Sequence, residues 1–153
     1  MVWRDTWRAG SGQLVSKSLS ALSGANVLNT ADEARYPGQA PIDAYGNGGF
    51  RFAEMSHRGS LLCLPTGIYG WNASAGDSLA PEDLQKVLVE LKTSDFLLLG
   101  TGERQHFPNT ELRAAFADAG IGLEAMNTGA ACRTYNVLLA EGRPVAAALI
   151  AVE

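Results

Sequence analysis

This chain has little of what usually announces a mechanism. Its 153 residues include only two cysteines and two histidines. Cys63 and Cys132 form no Cys-x-x-Cys pair and no metal-ligand spacing, so neither a zinc site nor a disulfide framework is expected. Free thiols in a reducing compartment are the expectation. No Gly-x-Ser-x-Gly elbow offers a serine nucleophile. The carboxylates Glu54, Glu103 and Glu124 are isolated in sequence and read as surface charges rather than an acid/base pair. Basic charge is also scarce. Twelve Lys and Arg face sixteen Asp and Glu, giving a net charge of -4 and a pI near 5.2. With no basic run interleaved with aromatics, a nucleic-acid partner is not expected. No stretch approaches the ~20 apolar residues of a bilayer span, and no secretory apolar region opens the chain.

What is present is ordinary soluble composition, 46% hydrophobic and 18% charged, in a length suited to one domain with a sizeable core. Residues 1–40 are rich in Ser, Gly, Ala and Asn and end in Tyr36-Pro37-Gly38-Gln39-Ala40-Pro41. They are expected to be a flexible extension, loosely attached through residue 37, before a single α/β domain over residues 41–153. Within residues 1–31, Arg4, Arg8 and Lys17 accompany one acid, Asp5, and Leu14, Val15, Leu19 and Leu22 could line a short helix. That composition also loosely resembles that of a mitochondrial transit peptide. The expected location is the bacterial cytoplasm, with the mitochondrion as the alternative if residues 1–31 are such a signal.

Further on, Ile42–Tyr45 and Phe50–Phe52 flank Gly46-Asn47-Gly48-Gly49, a hairpin signal, because glycine and asparagine tolerate positive φ. Residues 59–64 read as a buried strand stopped by Pro65, and Gly67–Trp71 as another. Pro81 suits the first turn of a helix carrying Leu84, Val87, Leu88 and Leu91 at helical spacing. Asp95–Leu99 is a strand. A helix from about Pro108 ends at a Gly120 cap, a strand follows at 121–126, a helix runs over 128–140, and Val145–Val152 is a last strand. Strands alternating with helices imply parallel crossovers and a sheet covered on its faces. Tyr45, Phe50, Tyr69 and Trp71 are expected to cluster where the hairpin meets the second β pair.

Two turns fall at the carboxyl ends of strands, where ligands of such sheets tend to sit. The first is Gly100-Thr101-Gly102-Glu103-Arg104. A dinucleotide fingerprint would need glycine at position 105, which is Gln105, and a phosphate loop would need Gly-Lys-Ser/Thr, so neither motif is present. The glycines still permit close backbone approach to a ligand, or serve only a tight turn. The second is Asn127-Thr128-Gly129, a good helix N-cap. If their strands are neighbours, Gly100, Thr101, Gly102, Arg104, Asn127, Thr128 and Arg133 form a small polar notch. Cys132 lies in the first turns of the same helix, where the dipole lowers a thiol pKa, and His106 is the one nearby candidate base. Core packing is the alternative for Cys132 and the expectation for Cys63. Asn136 sits mid-helix, where asparagine is a poor helix former. It either faces solvent or bonds a loop backbone, such as the 100–102 turn or residues 65–70, tying the two halves of the chain.

These fragments, in their order, give the chain a family resemblance. Ile42-Asp43-x-Tyr45 with Gly49-Phe50, Leu62-x-Leu64-Pro65 with Trp71, and Gly100-Thr101-Gly102-Glu103 are followed by Ala119-Gly120-Ile121 with Glu124. Thr128-x-x-Ala131-Cys132-x-Thr134-Tyr135-Asn136 and Glu141-Gly142-Arg143 complete the set. Over about Ile42 to Ile150 the chain resembles the small domains typified by mitochondrial respiratory complex I assembly factor 3 and its bacterial and archaeal relatives of unknown function. The resemblance implies a three-layer α/β fold with a mixed central sheet, N-terminal β-hairpins preceding β-α-β-α-β. It implies no established catalytic residues and no required cofactor. It further implies protein partners, membrane-complex subunits or assembly factors among them, and for bacterial relatives encoded near translocation genes a link to membrane-protein biogenesis. The expected function is therefore non-enzymatic protein contact in assembly of a membrane complex. The alternative is a small-molecule or anion-binding domain, or an enzyme, using the turns at 100–104 and 127–133.

Overall fold

Residues 33–153 are described in the computed structural model of the chain. The expectations for residues 1–31 lie outside them. Nine strands and three helices occur in the described part. The strands are β1 (Tyr36–Pro37), β2 (Ala44–Gly46), β3 (Gly49–Phe52), β4 (Met55–Arg58), β5 (Ser60–Leu64), β6 (Gly67–Trp71), β7 (Phe96–Gly100), β8 (Gly122–Met126) and β9 (Ala146–Leu149). The helices are α1 (Gln85–Glu90), entered through a 3-10 turn at Pro81–Leu84, α2 (Thr110–Ala119) and α3 (Thr128–Ala140).

Six strands form a mixed sheet in the order β1-β6-β5-β9-β7-β8, and β2-β3-β4 form a small second sheet. β7 runs parallel to both β8 and β9, while β5 is antiparallel to β6 and β9. Side chains alternate across a strand, so each central strand feeds two cores. Leu61, Cys63, Leu98, Ala147 and Leu149 join Phe50, Phe52 and Met55 of the small sheet and Ala131, Cys132 and Tyr135 of α3. Leu62, Leu64, Leu97, Leu99, Ala146 and Ala148 pack on the other face against Leu84 and Val87 at α1 and Leu112 and Phe116 of α2. Burial on both faces explains why 97–99 reads as an unbroken apolar run. The result is three layers: α1 and α2, the large sheet, then α3 with the small sheet.

The local signals act as their chemistry requires. Asn47 and Gly48 both take positive φ, 53° and 79°, closing the β2–β3 hairpin in two residues. Asn109 and Asn127 cap α2 and α3 by accepting from Leu112 N–H and Ala130 N–H, each at 2.8 Å. Gly120 closes α2 in the left-handed region at φ 72°.

Three observations differ from the sequence pattern. Residues ahead of Pro41 bond to the rest of the described chain. Tyr36-Pro37 pairs with β6, Gln39 Nε2 donates to Val145 O at 2.8 Å, and the buried Tyr135 hydroxyl donates to Ala40 O at 3.0 Å. A proline is tolerated there because β1 is an edge strand. The second change is β4, which the sequence pattern misses: the β3–β4 turn is made by Ala53 and Glu54, with φ 50° and 64°. Lastly, the expected aromatic cluster does not form. Phe50 lies in one core, Tyr69 in the other, Trp71 packs beside Tyr69's core and Tyr45 is exposed.

Candidate functional site

The chain passes from β7 through α2 to β8, then back through α3 to β9 on the other side of β7. The helices of these two crossovers lie on opposite faces. That reversal brings the carboxyl ends of three parallel strands together. Gly100 lies opposite Met126 across β7–β8 and opposite Leu149 across β7–β9.

At this junction the backbone is stitched directly. Thr101 N–H donates to Met126 O at 2.9 Å, Thr128 N–H to Gly102 O at 2.8 Å, and Ile150 N–H to Gly100 O at 2.9 Å. The Thr128 hydroxyl joins all three strand ends: it accepts from Gly102 N–H at 3.0 Å and donates to Ile150 O at 2.7 Å. The Thr101 hydroxyl accepts from His106 N–H at 3.0 Å and faces Arg104 O at 2.8 Å and Met126 O at 3.2 Å. A hydroxyl has one proton to donate, so both threonines are committed internally. Gly100 is needed for close approach. A Cβ there would lie 3.0 Å from Thr128 Cα and 3.1 Å from Leu149 Cδ2.

Above this stitching lies an open groove of about 260 Å³, lined by Tyr45, Gly102, Glu103, Asn127, Gly129, Arg133 and Val152. Of the seven residues expected at the notch, the structure brings Gly102, Asn127 and Arg133 to its wall. Gly100, Thr101 and Thr128 lie beneath it as buried framework. Arg104 is exposed, and the groove lining does not include it. Tyr45 and Val152 join the wall from the hairpin and the chain end, where no local motif marks them. Gly129 carries a weak signal: a Cβ there would strike the Tyr45 hydroxyl.

Cys132 does not point toward chemistry. It is 2% exposed within the α3 core, and burial pushes its thiol up to about 12 despite nearby Arg133. Desolvation of a thiolate outweighs the helix-end effect that would lower it. Burial does the same to Cys63, again to about 12. Asn136 makes a two-way tie: Ile42 N–H donates to its Oδ1 and its Nδ2 donates to Ile42 O, both at 2.8 Å. It thus joins α3 to the incoming chain rather than to the 100–102 turn or residues 65–70. Among the described residues no cluster of His, Cys, Asp and Glu is arranged to hold a metal ion.

Such a domain, with a mixed sheet layered between helices and a capped junction of parallel strand ends, is an α/β fold of three layers. Residues 42–150 match the family described as protein of unknown function, DUF498/DUF598, and the chain belongs to that family. An uncharacterized Rhodobacter capsulatus protein is 38% identical over 77% of this chain and 90% of its own length. The mouse NADH dehydrogenase [ubiquinone] 1 alpha subcomplex assembly factor 3 is 27% identical over 77% of this chain. The match spans 64% of that mouse protein. The crystal structure titled as an outer membrane protein from Bartonella henselae is 53% identical, covers 77% of this chain and 99% of its own, and superimposes with a TM-score of 0.73.

Proposed function

We propose that this domain works by protein contact in the assembly or biogenesis of a membrane respiratory complex, without catalysing a reaction itself. The observation that carries this reading is the match of the folded domain to an assembly factor of NADH dehydrogenase. The junction at 100–104 and 127–133 supports it, because the threonine hydroxyls there hold strand ends together and the neighbouring thiol is buried and protonated. No helix among the described residues is long and apolar enough to cross a membrane. The test is mild crosslinking in cells, followed by recovery of the chain and identification of what it carries. Subunits of a membrane respiratory complex are expected. Recovery of no protein partner, together with turnover of a small substrate by the purified chain, would overturn the reading.

A second reading rests on the groove lined by Gly102, Gly129 and Arg133, which leaves an exposed guanidinium beside the first turn of α3. It makes the groove a small-anion site. Titration with inorganic phosphate separates the two readings. Saturable amide shifts at Gly102 and Gly129, removed by Arg133→Ala, would favour the anion site, and unmoved amides would end it.

A further inference from the structure

β8 is one edge of the large sheet, and β7 is its only strand neighbour among the described residues. The opposite edge, β1, has two residues and a proline, Tyr36-Pro37. Very short strands and prolines blunt an edge against further pairing. β8 has neither device. Its five residues, Gly122–Met126, stay in register with β7 throughout and include no proline or lysine.

The backbone pattern shows which groups face outward. Gly122 N–H donates to Asp95 O, and Met126 O accepts from Thr101 N–H, so Gly122, Glu124 and Met126 address β7. The N–H and C=O groups of Leu123 and Ala125 therefore face away from the sheet. Gln105 Nε2 already donates to Ala125 O at 2.8 Å, as an incoming strand would. Beside this edge lies a cavity of about 360 Å³ whose walls include Phe107, Pro108, Phe116, Ala117, Leu123 and Ala125. Phe107 is 80% exposed, the most exposed large hydrophobic among the described residues. An open stretch of edge at Leu123 and an exposed aromatic thus share one place, with Ala125 buried beside them and its carbonyl held by Gln105.

Charge decides what fits. In the fully overlapped antiparallel pairing of two β8 strands, Leu123 meets Ala125 of the copy and Glu124 meets Glu124. Like charges directly opposite are destabilising. A strand with Lys or Arg at that position turns the repulsion into attraction. Residues facing each other across a pair share a face of the sheet, so the two flanking positions, opposite Leu123 and Ala125, lie over the Phe107 groove.

We propose that the β8 edge is a strand-addition site for an extended segment of a partner protein with an apolar-basic-apolar pattern. The basic residue sits opposite Glu124 and the apolar residues lie against Phe107, while main-chain bonds run to Leu123 and Ala125. Gln105 swings away from Ala125 O as the segment docks. The proposal rests on the protein-contact reading and specifies its surface.

The test is amide NMR of the whole chain titrated with the peptide acetyl-Thr-Val-Lys-Val-Thr-amide. Saturable shifts at Phe107 and residues 123–125 are expected, with slowed exchange of the Leu123 amide. N-methylation of both valines should abolish them. Replacing the peptide lysine with glutamate should weaken binding about fivefold, and Glu124→Lys should reverse that preference. No shift at these residues at millimolar peptide, or shifts indifferent to N-methylation and charge, would overturn the proposal. Concentration-dependent dimerisation that protects the Leu123 amide would assign the edge to a second copy and equally overturn it. Crosslinking separates this from the broader reading. If Phe107→Ala and Glu124→Lys chains capture the same subunits as the wild type, the edge is wrong and protein contact stands. If the wild type captures none, protein contact fails, while the peptide titration still decides the edge.

Discussion

Asn136 shows how much one polar side chain can do at a junction. Both its amide atoms bond the backbone of Ile42, the residue where the chain enters the small sheet. Replacing it with alanine leaves the Ile42 N–H and C=O half-buried without partners. Asn136→Ala should therefore cost ~1–3 kcal/mol in chemical denaturation. A loss below about 0.5 kcal/mol, the usual range for surface changes, would show that the tie is not energetically used. His57 is the second residue with a measurable signature. It is 7% exposed in β4, and its ring nitrogen Nε2 lies 3.2 Å from Ser60 O. A carbonyl only accepts, so Nε2 carries the proton. Burial, then the positive charge of Arg35, pulls the imidazole down to about 4. In the unfolded chain it titrates near its ordinary value of 6.5. Between those values the unfolded state takes the proton first, so the stability that neutral His57 contributes is full above pH 6.5 and is lost as pH falls toward 4. At about 1.4 kcal/mol per pKa unit the loss is roughly 3 kcal/mol. Unfolding free energies measured across that window should fall steeply in the wild type, with a flatter slope in His57→Gln, whose amide can still donate to Ser60 O. Equal slopes would place the imidazole in a solvated setting.

At the scale of elements, the best-read parts of the sequence are those where local chemistry and tertiary demand agree. Asn47-Gly48 supplies positive φ, Asn109 and Asn127 supply caps, and Gly120 ends a helix, so the boundaries of β2, α2 and α3 follow from single residues. β4 was hidden because Ala53 and Glu54, neither a turn-forming residue, hold positive φ between β3 and β4. Packing of Phe52 and Met55 into the core imposes that turn, and packing leaves no local signal. The two turns at strand ends were visible because glycine and asparagine mark them, and the parallel register sets them side by side. Tyr45 and Val152 reach the same groove from distant parts of the chain, which no spacing rule connects. Gly76 is another hidden link. A Cβ there would run into the Thr101 carbonyl oxygen and stand 2.7 Å from the Thr101 carbonyl carbon. The loop after β6 is thus pressed against the turn after β7, with backbone as the obstacle rather than a movable side-chain tip. Gly76→Ala should cost ~1–3 kcal/mol, the usual scale of overpacking, and should shift the amides of residues 101–106. Unchanged stability with unmoved amides would mean that the loop lifts away freely.

For the whole molecule, the open question from sequence was where the folded unit begins. Proline-rich composition at 37–41 argued for a linker, because Pro-Gly-x-x-Pro favours extended backbone. Extended backbone is also what an edge strand uses, and composition cannot separate the two. In the structure, residues 36–40 have partners far along the chain. Tyr36 pairs with Ile68, Gln39 bonds Val145 O, and Ala40 O receives the buried Tyr135 hydroxyl. The segment thus crosses from the β6 edge to α3, over the layer that α3 shares with the small sheet. Two shortened chains decide its worth. One begins at Glu33 and keeps every described contact. The other begins at Pro41, losing β1 and leaving the Tyr135 hydroxyl, in a residue with 0% exposure, without the Ala40 carbonyl and with only the weakly bonding Cys63 thiol beside it. A buried donor stripped of its partner costs ~1–3 kcal/mol by itself, and the lost strand pairing adds to it. The chain from Pro41 should therefore be less stable than the chain from Glu33 by at least about 2 kcal/mol in urea unfolding, with faster amide exchange in β6. Equal midpoints and equal exchange would return the start of the folded unit to residue 41, because the strand and both bonds would then contribute nothing to holding the molecule together.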